Sequence, residues 1–336
     1  MQKIAFFELE DWEKRYLKKK LEKKFELVFF KDPIKDDVPE KAKDADIIGI
    51  FIYSHITKDI LTEFSNLKYI TTFSTGYDHI DLEECKKKNI KVSNVPSYGE
   101  VAVAEQTFAL LLAVSRRIIE SHERVKEGFF SPEGLTGFDL SGKTMGVVGV
   151  GTIGQHVIKI AKGFGMDVLG YKRSPDAELE KKLGFKIVDM DTLLKESDVI
   201  TLHVPYTKET HHMIGEKEFD KMKKGSVIIN TARGGIIDTQ ALIRALYDKK
   251  IGGAGLDVCE GEPLLQEEKE LMSRSFNKEE LLSVVQNHML LNFNNVVISP
   301  HNAFNTHEAL KIIIDTSKEN IERFVEGNAQ NLVSLD

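Results

Sequence analysis

Short apolar runs alternate with longer stretches in which apolar residues recur every third or fourth position, almost from one end of the chain to the other. The short runs read as buried strands and the longer ones as amphipathic helices, an alternation that predicts mostly parallel sheet with helices on both faces. In the first third, strands are predicted at Ile4–Phe7, Phe25–Phe30, Ile47–Ile52, Tyr69–Phe73 and Ile90–Val92, with helical patterns such as Asp11–Lys24 and Lys58–Phe64 between them. A second series follows at Thr144–Val148, Val168–Tyr171, Phe185–Val188, Val199–Leu202, Val227–Asn230, Ala254–Leu256 and Val296–Ile298. Seven strands with interposed helices fit a dinucleotide-binding sheet.

Three stretches stand outside this rhythm. Val101–Arg117 reads as one long helix with an apolar face wider than a surface helix needs, which predicts burial between domains or between subunits. His307–Val325 reads as a last helix with no strand left to pair, so it is expected to cross back to the N-terminal domain. The interval Leu264–Asn294 is polar and long for a strand connection, and reads as helical excursions on the surface.

Composition narrows the class of protein. A length of 336 residues favours about two domains, and 41% hydrophobic with 29% charged residues is the mix of an ordinary globular protein. The net charge of -7 argues against nucleic acid as the main partner. Cys85 and Cys259 lie far apart in no metal-ligand spacing, which suits a reducing cytoplasm and predicts neither a disulfide framework nor a metal site. Ile4–Phe7 is too short for a signal-peptide core, and Phe108–Val114 falls well short of the ~20 residues of a membrane span.

The chemistry-bearing motifs sit where strands end. Gly149-Val150-Gly151-Thr152-Ile153-Gly154 fits G-x-G-x-x-G between a predicted strand and a predicted helix, the setting in which backbone N–H groups and a helix N-terminus meet a pyrophosphate. An acid that would hold the adenosine ribose is expected about 20 residues on. The matching position is Lys172, followed by Arg173 and Ser174, which offer two cations and a hydroxyl to a 2′-phosphate and point toward NADP(H) as well as NAD(H). Arg233 follows strand Val227–Asn230, Asp257 and Glu262 follow Ala254–Leu256, and His301 follows Val296–Ile298. Singly, each has an ordinary structural reading. Together they supply what hydride transfer to a 2-keto acid requires: a guanidinium to grip the carboxylate, and an imidazole, oriented by a carboxylate, to move the proton.

Several further motifs occur in the same order: "STGYDHIDL" (Ser74–Leu82), "NVPSYGEVAVAEQT" (Asn94–Thr107), "HVPYTKETHHMI" (His203–Ile214), "NTARGGIID" (Asn230–Asp238), "DVCEGEP" and "SPHNAF". With the glycine loop they make the whole chain resemble the D-isomer-specific 2-hydroxyacid dehydrogenases, most closely the D-lactate dehydrogenase branch. The resemblance implies an α/β fold of two Rossmann-like or flavodoxin-like doubly wound parallel-sheet domains with a cleft between them. One, discontinuous, would hold substrate (1–100 and 300–336) and the other the dinucleotide (101–299). It implies Arg233, Glu262 and His301 as the catalytic set, with Thr75, Gly76, Tyr98 and Tyr53 contacting substrate. Thr152, Ile153, Val204, Pro205, Thr210, Thr231, Ala232 and Asp257 would join Gly149, Gly151 and Gly154 around the dinucleotide. It also implies a homodimer built through helix 101–117.

Departures from the pattern matter too. Lys172 stands where NAD-dependent relatives carry Asp, Gln106 where His is common, and Asn302 and Asn305 where apolar or aromatic residues are usual. The expected activity is reduction of pyruvate to D-lactate. A glyoxylate or hydroxypyruvate reductase using NADPH is the alternative within the class, and an NAD(H)-sensing binding protein the alternative outside it.

Overall fold

The computed structural model describes residues 1–262 and 278–334. The chain forms two compact units, Met1–Tyr98 with Asn305–Asp336, and Gly99–Phe304.

In the first unit, β1 (Lys3–Phe6), α1 (Asp11–Leu21), β2 (Glu26–Phe29), β3 (Ile47–Ile50), α2 (Lys58–Glu63), β4 (Tyr69–Thr72), α3 (Leu82–Lys87) and β5 (Lys91–Ser93) follow in chain order. The strands make one five-stranded sheet, β2-β1-β3-β4-β5, with every pair parallel. Parallel strands need crossovers, and helices then cover both faces, which is why β3 and β4 are buried at every position and read as unbroken apolar runs. The helix His307–Val325 packs on β4 and α1, with Phe324 stacked on Tyr69 at 4.1 Å between ring centres.

The second unit begins with α4 (Glu100–Arg116) and α5 (Ile118–Lys126). It continues through β6 (Thr144–Val148), α6 (Thr152–Gly163), β7 (Asp167–Tyr171), α7 (Ala177–Leu183), β8 (Lys186–Ile187), α8 (Met190–Glu196) and β9 (Val199–Leu202). Then come α9 (Glu216–Lys221), β10 (Ser226–Asn230), α10 (Thr239–Tyr247), β11 (Ile251–Leu256), α11 (Lys278–Leu291) and β12 (Val296–Ile298); the final helix of the chain is α12. Its seven strands are again all parallel, in the order β12-β11-β10-β9-β6-β7-β8. The order reverses between β6 and β9, and this is the switch point at which open parallel sheets place their ligands.

Two of the stretches outside the strand–helix rhythm have these surroundings. The wide apolar face of α4 packs inside its own unit against α6, β10, β11 and β12. Of the interval Leu264–Asn294, residues 278–291 form α11, which packs on α10 and β12; the stretch 263–277 lies outside the described residues. No helix among the described residues is long and apolar enough to cross a membrane.

Candidate active site

The glycine turn after β6 is shaped by close packing. Gly149 has φ +98, its N–H donates to the Tyr171 carbonyl at 3.0 Å, and a Cβ there would lie 2.5 Å from the His203 carbonyl oxygen. At Gly154 a Cβ would lie 2.2 Å from the Gly149 oxygen. These two glycines are required by the protein itself. Gly151 is not: its φ is -81 and a Cβ would meet nothing within 4 Å. Gly151 also caps α6 without a side-chain hydrogen bond, so the first N–H groups of α6 have no side-chain acceptor from their cap. An open glycine beside an uncapped helix N-terminus fits a pyrophosphate. Thr152 and Ile153 open that helix, and beyond β9, across the switch point, lie half-buried Val204 and exposed Pro205.

Other residues expected around the dinucleotide are already engaged. The Thr210 hydroxyl donates to the Pro205 carbonyl at 2.7 Å and accepts the Thr207 N–H, tying its own loop. Thr231 is buried with its hydroxyl 3.1 Å from that of Thr107. Ala232 donates its N–H to Asn230 Oδ1. Lys172 is half-buried and pairs with Asp176 at 2.7 Å, which holds the Asp176 carboxyl below the usual carboxylate range; Arg173 and Ser174 are exposed. The basic ending of the second strand therefore carries its own partial counter-charge.

At the ends of β10, β11 and β12 three segments interlock. Asn230 ends β10 buried; its Nδ2 donates to the Arg233 carbonyl at 2.9 Å, so one amide latches the turn from which Arg233 projects. Gly234 presses this turn onto the next segment, since a Cβ there would lie 2.1 Å from the Cys259 carbonyl carbon. Glu262 follows: Oε1 accepts the Cys259 N–H at 3.1 Å, and Oε2 lies 2.8 Å from His301 Nδ1. With Glu262 ionised, Nδ1 carries the proton and donates, which leaves Nε2 for a substrate. Burial pushes the Cys259 thiol up to about 12, so it offers no thiolate here.

His301 itself is held under strain, at φ +49. Asp257, buried at the end of β11, pins its loop. Oδ1 accepts the Ser299 hydroxyl at 2.5 Å and the Asn302 N–H at 2.9 Å, Oδ2 accepts the Ala303 N–H at 2.8 Å, and the carbonyl accepts the His301 N–H. Ser299 in turn accepts from Gln106 Nε2 of α4 at 3.0 Å. Sequence reasoning attached no meaning to Gln106 and did not single out Ser299 or Asn230. Polar side chains on apolar elements were the available signal.

In the first unit, Tyr53 follows β3, Thr75 and Gly76 follow β4, and Tyr98 follows β5. The Thr75 hydroxyl donates to the Val95 carbonyl, and Ser74 donates to Gly76 at 2.6 Å. Glu8, at φ +62 beyond β1, accepts the N–H groups of Phe51 and Tyr53 at 3.0 and 2.9 Å and the Ser54 hydroxyl, fixing the loop that carries Tyr53. Burial pushes its carboxyl above the usual range. No group of three His, Cys, Asp or Glu among the described residues is placed to hold a metal.

A doubly wound parallel sheet with an open glycine turn at its switch point is the architecture of nicotinamide-dependent oxidoreductases. Comparison with known proteins places the chain within that class. The profile of the D-isomer specific 2-hydroxyacid dehydrogenase NAD binding domain matches residues 108–303. A glyoxylate reductase of Thermococcus litoralis is 41% identical over 329 residues, covering 95% of this chain and 93% of its own. The D-lactate dehydrogenase of Escherichia coli is 37% identical over 331 residues, 97% of each. The crystal structure of D-lactate dehydrogenase from Aquifex aeolicus complexed with NAD and lactic acid superposes with a TM-score of 0.86 at 38% identity, covering 97% of this chain and 96% of that one. The chain belongs to the NAD-dependent D-isomer-specific 2-hydroxyacid dehydrogenases.

Proposed function

We propose that the protein reversibly reduces a small 2-keto acid to the D-2-hydroxy acid, with pyruvate the first candidate. The observation that carries this reading is the 2.8 Å contact between Glu262 and His301 Nδ1, on a segment packed against the Arg233 turn. In the reduction direction the bound coenzyme supplies hydride to the carbonyl carbon. Arg233 binds the substrate carboxylate through paired N–H donors and polarises the adjoining carbonyl. His301 Nε2 gives its proton to the oxygen as charge develops there, and Glu262 favours the imidazolium that must be present first. In the oxidation direction neutral His301 takes the hydroxyl proton. Thr75 and Gly76 offer backbone groups to the same substrate, with Tyr53 and Tyr98 beside it.

For the coenzyme, N–H groups from Gly149 to Gly154 hold the pyrophosphate, with Val204, Pro205, Thr231 and Ala232 along it. Thr210 and Asp257 act by holding these loops in shape, since their polar atoms are already engaged. A second reading, an NADPH-preferring glyoxylate or hydroxypyruvate reductase, draws support from Lys172-Arg173-Ser174 in place of a carboxylate. Against it stands the Lys172–Asp176 pair. Comparing kcat/KM for NADH and NADPH across pyruvate, glyoxylate and hydroxypyruvate separates the two, and robust turnover removes a purely NAD(H)-sensing role. For the homodimer through helix 101–117, exposed apolar side chains stand at Val101 on α4 and just past it at Ile118, Ile119 and Val125 of α5, then Phe129 and Phe130.

The deciding experiment is a pair of variants. His301→Ala is expected to lose about 10²–10⁴-fold in kcat with KM for keto acid little changed. Arg233→Ala is expected to raise KM as well. Near wild-type turnover in His301→Ala refutes the proton-donor role.

A further inference from the structure

The turn Cys259–Glu262 carries more ties than its contact with His301 requires. Glu260 sits two residues before Glu262, and its carboxylate reaches different partners. Oε1 lies 2.7 Å from His212 Nε2, while Oε2 accepts the Thr239 hydroxyl at 2.6 Å and the Thr239 N–H at 3.2 Å. Its carbonyl accepts from Nδ2 of fully buried Asn287 on α11 at 2.8 Å. Gly261, at φ +68, then lets the chain reverse so that Glu262 meets both the Cys259 N–H and His301.

His212 is itself set firmly. It sits at φ +50, stacks on His211 at 3.9 Å, and has Nδ1 4.0 Å from Asp238 Oδ2. His211 Nδ1 lies 3.0 Å from the Tyr206 hydroxyl, and Asp238 Oδ1 caps α10 through the Ala241 N–H at 3.0 Å. One carboxylate therefore joins the loop after β9, the first turn of α10 and the turn after β11. A partly buried carboxylate loses hydration, and well-placed donors offset that loss only if they are held in position. Here the donors are held, and none of them belongs to the reacting pair.

We infer that Glu260 is a positioning residue: clamped by His212 and Thr239, it fixes the turn Cys259–Glu262 and so sets the contact between Glu262 and His301. The inference rests on the proposed role of His301 as proton donor. The charged groups at His301 and its loop are Glu262, at Nδ1, and the Asp257 carboxylate, which is bonded to the loop backbone. A looser turn weakens the one contact that orients the ring through Nδ1 and stabilises positive charge on it during proton transfer.

The test is the pH profile of kcat/KM for pyruvate reduction by the full chain, with thermal unfolding measured alongside. Glu260→Gln keeps the volume but leaves one acceptor oxygen where two now serve three donors. It is expected to move the high-pH limb down by about half to one unit and lower kcat roughly five- to tenfold, with KM for coenzyme within about twofold. His212→Asn tolerates the left-handed backbone but is too short to reach Glu260, and is expected to move the limb the same way by less. Glu262→Gln, as the reference, is expected to move it furthest. If Glu262→Gln moves the limb while Glu260→Gln and His212→Asn change only the unfolding temperature, the positioning role is wrong and the reading of His301 stands. If Glu262→Gln leaves the limb in place, that reading fails and the inference with it. Should Glu260→Gln not fold, His212→Asn decides.

Discussion

Replacing Gly151 with alanine separates what the glycine turn does for the fold from what it does for a ligand. Gly151 has an ordinary φ of -81, and a methyl group there meets no protein atom within 4 Å. The cost to stability is that of alanine at a helix N-cap, at most about 1 kcal/mol relative to glycine, and the reduced freedom of the unfolded chain offsets about half of it. The unfolding temperature should therefore fall by no more than about 2–4 °C. The space the methyl fills is the space a phosphate oxygen needs in order to reach the N–H groups at the start of α6. Losing two charge-assisted hydrogen bonds at about 1.5 kcal/mol each weakens coenzyme binding roughly 10²-fold.

Gly149→Ala and Gly154→Ala serve as contrasts. At Gly149 the backbone is at φ +98 and a Cβ lies 2.5 Å from the His203 oxygen; at Gly154 it lies 2.2 Å from the Gly149 oxygen. Neither neighbour is a flexible side-chain end, so both variants are expected to lose several kcal/mol of stability or fail to fold. Fluorescence titration with NADH, beside thermal unfolding of each apoprotein, reads both quantities. A Gly151→Ala protein with unchanged unfolding temperature and unchanged NADH affinity would show that the turn is not a pyrophosphate cradle.

Other consequences follow from the same geometry. Asp257→Asn places an amide against the Asn302 and Ala303 N–H groups, and is expected to cost about 2–4 kcal/mol in urea unfolding together with most of kcat; loss of stability without loss of kcat would detach the loop from catalysis. Burial lowers the His203 imidazole from 6.5 to about 3, with Nε2 bonded to Thr201 and Nδ1 without a partner among the described residues. The unfolded chain therefore binds a proton that the native one does not, and stability falls as pH drops below about 6.5, by about 1–2 kcal/mol at pH 5. That share should vanish in His203→Gln; an identical fall in the variant refutes the assignment. Phe130, 92% exposed, should lose a covering partner on Phe130→Glu, and sedimentation should shift toward monomer; an unchanged profile removes this segment from the interface.

The pattern of apolar runs was enough to place both sheets because parallel strands are buried on both faces and carry no alternation to misread. β6, β9 and β12 begin and end where the apolar runs do. The glycine turn was equally legible, since the positive φ of Gly149 and the close approach of Gly154 to Gly149 belong to one βαβ unit. What escaped were residues whose meaning depends on distant partners. Gln106 lies 193 positions from Ser299, and Glu8 more than 40 from the loop it holds. Lys172 shows a different gap. Its place in the motif offers a cation beside Arg173 and Ser174, and the three-dimensional turn into α7 adds the Asp176 partner. Short-range spacing identifies which atoms face a ligand; it does not show which of those atoms another part of the chain has already engaged.

The network beneath His301 shows why such distant residues matter to the chemistry. A non-glycine residue in the left-handed region costs roughly 1–2 kcal/mol, and a loop free to relax would abandon it. Asp257 prevents relaxation by binding the loop on both sides of His301, at Ser299 and at Asn302–Ala303, while its carbonyl holds the His301 N–H. Gln106 extends the restraint to α4, a helix packed across β10, β11 and β12. The strain at His301 is thus balanced by bonds that end in the sheet, and Glu262 meets an imidazole whose direction is already set. Orientation assembled before substrate arrives need not be restored in each turnover, and a proton donor misplaced by even 1 Å loses much of its effect.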